Sequence, residues 1–176
     1  FDLDNTIRYE IERGVDPENI LVSIQGANNE IGTMLPIGEF YEIAQGYGVY
    51  FHSDQVQSFP HIGAWMSCDA FTVSGHKFGA LRGTGFVYIS RELQQYLSPI
   101  ILGGGQEFGM RSGTENVAGC YALANRVELL EPSCNGDNFN KKIEFFKKIV
   151  NGLKDAGINY KTNGNFHIPI YSITFP

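Results

Sequence analysis

The sequence predicts an α/β domain with a mostly parallel sheet flanked by helices. Three runs rich in apolar, β-branched and aromatic residues have the composition of buried strands, at residues 20–25, 49–52 and 69–73. Between the first two runs, Pro36 opens a segment whose apolar residues recur at helical spacing, and Gly48 follows its end. Polar residues follow each strand, and in α/β proteins such strand ends face the ligand-binding crevice.

The rest of the chain predicts shorter elements. These are a polar helix with a turn at 1–19, an irregular connection at 55–64, a strand at 86–89, helices at 91–97 and 115–130, and a strand pair at 158–161 and 168–175. Only a short loop precedes the strand at 86–89, so we expect antiparallel pairing there. In the helix at 115–130 the spacing predicts one apolar face, formed by Val117, Tyr121, Ala124 and Val127. Beyond residue 131 the composition becomes polar and lysine-rich and predicts an amphipathic helix. We therefore divide the chain into a first domain, 1–131, and the start of a smaller second domain, 132–176.

Composition excludes several classes of protein. With 176 residues, of which 43% are hydrophobic, the chain can bury a substantial core and is not wholly disordered. The net charge of −6, with no long basic run, predicts no nucleic-acid partner. No apolar stretch approaches membrane-spanning length and no signal pattern opens the chain, so we expect no membrane association and a place in the cytoplasm or an organelle matrix. The three cysteines are unpatterned, which indicates free thiols. We expect Cys68 and Cys120 in the core and Cys134 in a polar connection.

A lysine and an aspartate at neighbouring strand ends are the most informative pair. Lys77 closely follows the strand at 69–73, and Asp54 ends the strand before it. An amine at a closed strand end must be desolvated, paired or covalently used, and a desolvated lysine is a nucleophile towards carbonyl groups. An aspartate can hold the ring nitrogen of pyridoxal phosphate protonated, which makes the ring an electron sink. The pair therefore predicts a pyridoxal phosphate site.

Electrostatics supports this pairing. A carboxylate about 4 Å from a pyridinium gains roughly 4 kcal/mol at an effective dielectric constant of about 20, which is on the order of three pK units. The alternative is that Asp54 caps a turn and Lys77 is a surface residue. Ser74 and His76 beside the lysine favour the cofactor site over that alternative.

Two further loops carry candidate residues. Asn28 and Asn29 lie in a loop of amides and glycines after the first strand. Paired asparagines usually serve turns, but at this strand end they would face the crevice. The stretch 106–114 contains arginine, serine, glycine and threonine ahead of a helix, a combination that can grip a phosphate. Thr114 is alternatively the N-cap of that helix.

Taken together, these stretches resemble the cysteine desulfurases, the NifS/IscS-like branch of enzymes with the class V aminotransferase fold. The resemblance rests on four motifs in one order: Asn28-Asn29-Glu30-Ile31-Gly32, His52-Ser53-Asp54 with Gln57, Ser74-Gly75-His76-Lys77, and Gly103-Gly104-Gly105-Gln106-Glu107 through Arg111-Ser112-Gly113-Thr114-Glu115-Asn116. It implies fold type I of the pyridoxal-phosphate-dependent transferases. Residues 1–131 would then be part of the large domain, and 132–176 the start of a smaller α+β domain.

The resemblance implies roles for four residues at the cofactor ring. Lys77 would be the catalytic residue, bonded to the cofactor and moving a proton between it and the substrate carbon. Asp54 would pair with the pyridine nitrogen, and Gln57 would hydrogen-bond the phenolic oxygen. Asn29 would contact the bound amino acid or the cofactor oxygen.

The phosphate end of the cofactor would be held by three other residues. Ser74 and His76 match the positions that hold the phosphate in this family. Thr114 matches the position that reaches the phosphate of a neighbouring subunit. The resemblance therefore implies a homodimer with shared sites.

The implied reaction converts L-cysteine to L-alanine and passes sulfur to a catalytic cysteine as a persulfide. Sulfur-acceptor scaffold proteins for iron–sulfur cluster or thio-cofactor biosynthesis would be the partners. The chain begins at Phe1 and stops inside a predicted strand, so we expect a fragment. In this family the catalytic cysteine and the substrate-carboxylate arginine would lie beyond Pro176, and Phe108 stands where an arginine is common. We therefore expect this chain alone to be inactive.

Two alternatives stay open. One is a selenocysteine lyase or another class V enzyme, because the cofactor motifs are shared. The other is a non-catalytic scaffold that docks onto a full-length desulfurase or its sulfur acceptors.

Overall fold

A four-stranded sheet forms the centre of the protein, whose computed structural model describes residues 2–62, 68–130 and 137–176. Its strands are β1 (Leu21–Gln25), β2 (Tyr50–Asp54), β3 (Ala70–Ser74) and β4 (Gly85–Ile89). They lie in the order β1-β2-β3-β4. The first three strands are parallel and β4 is antiparallel to β3, as predicted.

Six helices and a small strand pair accompany the sheet. The helices are α1 (Leu3–Glu12), α2 (Ile37–Tyr47), α3 (Phe59–Ile62), α4 (Arg91–Gln94), α5 (Val117–Glu128) and α6 (Asp137–Asp155). Strands β5 (Lys161–Asn163) and β6 (Ser172–Thr174) pair antiparallel. Helix α2 ends at Gly48, whose φ of 69° is the left-handed conformation that favours glycine. No helix in the described ranges is both long and apolar enough to cross a bilayer.

The hydrophobic core lies on one face of the sheet. Phe51 of β2 is fully buried there, and Phe71 and Val73 of β3 lie beside it. Because side chains alternate along a strand, the neighbours of these residues point to the opposite face. On that face Leu21 and Val87 are about half exposed, at 52% and 53%. The core therefore holds the strands from one side and leaves their carboxyl ends accessible.

Helix α5 differs from its prediction at its start and in its buried face. It begins at Val117, and Asn116 is the N-cap because its Oδ1 accepts a hydrogen bond from the Gly119 N–H at 3.0 Å. Thr114 is therefore not the N-cap. The predicted apolar face is exposed, since Val117 and Tyr121 have exposed fractions of 74% and 72%. The helix instead packs through smaller contacts at Gly119 and Leu123.

Other boundaries are shorter than predicted. The irregular connection at 55–64 contains the short helix α3, and the helix expected at 91–97 ends at Gln94. The strand predicted at 158–161 is wrong except at Lys161, because β5 spans Lys161–Asn163. The strand predicted at 168–175 is reduced to Ser172–Thr174, because residues 164–170 lie outside the ladder and pack against the loop after β1. The division at residues 131 and 132 lies outside the described residues, as does Cys134.

Candidate active site

A pocket at the carboxyl edge of the parallel strands collects four of the seven predicted site residues. Asn29, Asp54, Gln57 and Lys77 line it, together with the following residues: Gln25, Ala27 and Val56. Its volume is about 250 Å³, near the lower end of the roughly 300–1,000 Å³ typical of small-molecule sites. The carboxyl ends of parallel strands meet at one edge of a sheet, which is why residues distant in sequence converge here.

Asp54 is held in place by the sheet and by its own turn. It ends β2 between Gln25 of β1 and Thr72 of β3. Its carbonyl oxygen accepts from the Gly26 N–H at 2.7 Å, and its carboxylate Oδ1 accepts from the Val56 N–H at 2.9 Å. The carboxylate thus caps a turn, as the alternative interpretation expected, and it also lines the pocket.

Lys77 reaches the pocket from a turn beyond the sheet. It lies in the 3-10 helix Gly75–Phe78, which directly follows β3. Its side chain is exposed, whereas the sequence indicated a desolvated amine. The turn carries the side chain past the closed end of the strand into an open pocket. Gly75 makes this turn possible, because a methyl group there would lie 2.8 Å from Leu123 Cδ1 and 3.0 Å from Thr84 Oγ1.

The sequence left two roles open for the asparagines after β1, forming a turn and facing the crevice, and each asparagine has one of them. Asn28 serves the turn, since its Oδ1 accepts from the N–H groups of Glu30 at 2.9 Å and Ile31 at 3.0 Å. Asn29 is exposed and lines the pocket. We call residues 26–34 the asparagine loop. Its ends are tied by a bridge between Ala27 and Met34.

Ser74 and His76 lie beside Lys77 but do not line the pocket. The Ser74 hydroxyl is hydrogen-bonded to His76 Nδ1 at 2.8 Å. The histidine side chain is exposed and the serine is half-buried. The pair thus places a hydroxyl and an imidazole next to each other at the end of β3, the strand beside the one that Asp54 ends.

Thr114 does not line the pocket. It is exposed in the segment between the second glycine run and α5. Phe108, earlier in that segment, is fully exposed with a φ of 57°.

Comparisons with known proteins decide the family. The family model described as Aminotransferase class-V matches residues 3–157. The chain belongs to the class V aminotransferase family. It is 38% identical over 160 residues to a protein of Bacillus subtilis named putative cysteine desulfurase IscS 1, covering 89% of this chain and 41% of that protein.

Solved structures agree with this class V assignment. A NifS-like protein from Rickettsia africae is 32% identical with a TM-score of 0.78, over 99% of this chain and 49% of that one. A structure described as SspA in complex with cysteine is 28% identical with a TM-score of 0.74, over 96% of this chain and 47% of that one. The chain thus spans about 41% of the first curated relative and about half of these solved chains. The fold is that of the large domain of NifS-like, fold type I enzymes.

The sequence missed several residues at the site of this class V chain. Gln25 lines the pocket because it pairs with Asp54 at the end of the neighbouring strand, so the strand-end rule could have found it. His52 was expected only to fill a strand end, but its Nδ1 is hydrogen-bonded to the Ser23 hydroxyl at 2.8 Å. Burial lowers the pKa of His52, and the charge of Asp54 opposes that shift.

The described cysteines differ from one another. Cys68 is buried, as expected, and burial raises the pKa of its thiol to about 11. Cys120 was expected in the core but is exposed on α5. Within the described ranges no group of three or more histidine, cysteine or acidic side chains could hold a metal ion.

Proposed function

We propose that this chain carries the pyridoxal 5′-phosphate site of a cysteine desulfurase, which removes sulfur from L-cysteine to give L-alanine and an enzyme persulfide. The observation that carries the proposal is the convergence of Asp54 and Lys77 on one pocket. The names of the curated relatives and the cysteine complex of a structural neighbour support the same substrate. The persulfide sulfur would serve iron–sulfur cluster or thio-cofactor biosynthesis through acceptor scaffold proteins, in the cytoplasm or an organelle matrix.

The side chains in the pocket fit the ring of this cofactor. When bound, pyridoxal phosphate supplies an electron sink that weakens the bonds at the substrate α-carbon. The Lys77 amine would be the nucleophile for the cofactor aldehyde and would carry the proton to and from that carbon. The Asp54 carboxylate would accept a hydrogen bond from the protonated ring nitrogen. The Gln57 and Asn29 amides would orient the ring oxygen and the bound amino acid.

The phosphate end requires donors outside the ring pocket. Ser74 and His76 offer a hydroxyl and an imidazole beside Lys77, and we assign them to the phosphate. We assign Thr114 to the phosphate of a second copy of this chain in a homodimer. The exposure of Val117 and Tyr121 on the helix that follows Thr114 supports such contact between two copies.

Sulfur transfer needs a nucleophilic thiolate, and neither described cysteine suits that role. The thiol of Cys68 is buried with a raised pKa, which disfavours the thiolate. Cys120 lies on α5 and does not line the pocket. We propose that the persulfide forms on neither of these two cysteines. The isolated chain would then release neither alanine nor sulfide from L-cysteine.

Titration with pyridoxal 5′-phosphate tests the proposal. The wild-type chain should develop a visible absorption band that borohydride removes. Lys77→Ala should abolish the band, whereas Lys154→Ala, which removes an exposed lysine of α6, should leave it unchanged. A wild-type chain that stays colourless at saturating cofactor, or a Lys77→Ala chain with an undiminished band, contradicts the proposal. A chain that binds no cofactor but captures a full-length desulfurase would instead indicate the scaffold alternative.

Thr114→Ala tests whether the cofactor site is shared between two copies of the chain or formed by one copy alone. At concentrations where the chain is monomeric, the substitution should leave cofactor affinity unchanged. Where two copies associate, it should weaken affinity by about tenfold, the effect of about one hydrogen bond to a charged group. Sedimentation in parallel with the titration reports the association state. Equal affinities of wild type and variant in the dimer would remove Thr114 from the site.

A further inference from the structure

We propose that Gly32 and Gly164 are positioning residues, through which residues 164–170 hold the asparagine loop and thereby set the position of Asn29 in the pocket. We call residues 164–170 the clamp segment. No catalytic role is assigned to either glycine. The part of this inference that concerns the cofactor rests on the proposed function.

The first half of the contact is at Gly32. This residue is buried with a φ of 68°. A methyl group in place of its hydrogen would overlap the carbonyl oxygen of Ile170 and would lie 3.3 Å from the carbonyl oxygen of Ile168. Both obstacles are backbone atoms, which cannot move aside as a flexible side chain can. The clamp segment therefore lies directly against the backbone of the loop.

Gly164, in the clamp segment, makes the second close contact with the asparagine loop. Its φ is 83°, and a methyl group there would overlap the carbonyl oxygen of Ile31 and lie 3.0 Å from Thr33 Oγ1. Each segment thus contributes one glycine that meets a backbone carbonyl of the other. Such a reciprocal approach leaves little room for sliding, because shifting either segment towards the other brings backbone atoms into collision.

The loop transmits this contact to the pocket over three residues. The Gly32 N–H donates to the Asn28 carbonyl at 3.1 Å, and the Asn28 N–H donates to the Thr33 carbonyl at 2.8 Å. Asn29 lies inside this hydrogen-bonded turn and lines the pocket. A displacement at Gly32 therefore displaces the wall that Asn29 supplies.

The clamp segment has an anchor of its own. Ile168 is fully buried, with an exposed fraction of 0%. The Ile170 N–H donates to its carbonyl at 2.7 Å. Burial of Ile168 and this hydrogen bond fix the backbone of the clamp segment next to the asparagine loop.

Two matched pairs of glycine substitutions test the proposal. Gly164→Ala is compared with Gly157→Ala, and Gly32→Ala with Gly48→Ala. All four glycines have positive φ, at 83°, 68°, 68° and 69°, but a methyl group at Gly157 or Gly48 would meet nothing within 4 Å. Each pair therefore shares the backbone strain and differs in the clamp contact. A milder pair, Ile168→Val against Ile7→Val, covers the case in which an alanine variant does not fold, since both isoleucines are buried, at 0% and 2%.

Hydrogen–deuterium exchange of the peptide covering 26–34 is the primary readout and needs no cofactor. Exchange there should be about tenfold faster in each clamp variant than in its control. Affinity for pyridoxal 5′-phosphate should fall by about tenfold in the clamp variants relative to their controls. Equal exchange in the loop for variant and control overturns the proposal, and so does faster exchange with unchanged affinity. A wild type that binds no cofactor contradicts the proposed function instead, and exchange alone then decides whether the clamp positions the loop.

Discussion

The ring pocket and the segment at 101–116 are built in contrasting ways. Asp54 ends a strand that is paired on both sides, and Lys77 leaves the next strand through one short turn. Thr114 and Phe108 lie on a surface segment that includes the 3-10 helix Gln106–Gly109, and Phe108 is fully exposed there. Sheet pairing and one turn thus bring Asp54 and Lys77 to one pocket within this chain. Thr114 does not line that pocket.

The pocket and the segment at 101–116 also differ in how deeply their residues are buried. Phe51 and Ser53 alternate with His52 and Asp54 along β2 and are fully buried, so the strand that carries the carboxylate is fixed in the core. In the segment at 101–116, Ile101 and Leu102 are 50% and 79% exposed. Rigid support below a site fixes a side chain in a way that an exposed loop does not.

The largest expected effect is on the free energy of unfolding, when a phenylalanine is replaced by alanine in each of the two regions. Phe51→Ala should reduce the free energy of unfolding by about 3–5 kcal/mol, because it leaves a cavity in the core. Phe108→Ala should change it by no more than about 0.5 kcal/mol, because the side chain makes no buried contact. Urea denaturation of both variants measures the difference. Similar losses for the two would show that the surface segment is packed in the isolated chain and would end the contrast.

An intermediate effect, on cofactor affinity, is expected at Asp54. There one substitution can remove the negative charge and keep the hydrogen bond of the turn. Asn in its place keeps an oxygen that can accept from the Val56 N–H but removes the negative charge. Asp54→Asn should therefore weaken cofactor binding by about ten- to a hundredfold, from the loss of about 1.5–3 kcal/mol of charge-assisted hydrogen bonding. Spectrophotometric titration measures the affinity.

Asp16→Asn is the matched control for that variant. The Asp16 carboxylate caps an equivalent turn, accepting from the Glu18 N–H at 3.1 Å, and it lies outside the pocket. It should leave cofactor affinity unchanged. If both variants bind equally well, the carboxylate at the end of β2 serves the turn alone.

The smallest effect concerns His61, on the short helix that follows the pocket turn. Burial lowers the pKa of His61 to about 4, and the charge of Lys142 on α6 acts in the same direction. The unfolded chain therefore binds this proton more readily, so the contribution of neutral His61 is present above about pH 6.5 and is lost as pH falls towards about 4. His61→Gln should lose less stability than wild type across that window. The pKa of His52 is also lowered, so His52 too makes the protein less stable as pH falls. The His61→Gln variant keeps this second loss of stability.

Denaturation midpoints at several pH values measure the His61 effect. Asn151→Gln, which changes an exposed residue of α6 that does not titrate, serves as the control and should follow the wild-type curve. A His61→Gln curve parallel to wild type throughout would show that the native protein protonates His61 as readily as the unfolded chain does.

Sequence patterns predicted the sheet and placed Asp54 and Lys77 at neighbouring strand ends, where side chains converge in α/β proteins. Gln57 was predicted through the family resemblance alone. The exposure of Lys77 agrees with the alternative of a surface residue and not with a desolvated amine, since it depends on the turn at Gly75. Thr114 was an alternative N-cap of α5, because by composition a threonine two residues before Asn116 is a good cap as well.

The C-terminal strands show a different limit. Alternating residues at 168–175 predicted a long strand, but the ladder with β5 includes only Ser172–Thr174. The preceding residues are held by contacts with the asparagine loop, more than a hundred positions away in the sequence. Such a long-range contact has no signature in local periodicity.

Peptide mapping after borohydride reduction tests the central claim most directly. The wild-type chain is loaded with pyridoxal 5′-phosphate, reduced and digested, and the modified lysine is identified by mass spectrometry. The account predicts a single modified peptide, with the pyridoxyl group on Lys77 and with its yield reduced in Asp54→Asn. Modification that is spread over the exposed lysines of α6, or a Lys77 yield indifferent to Asp54, would contradict it.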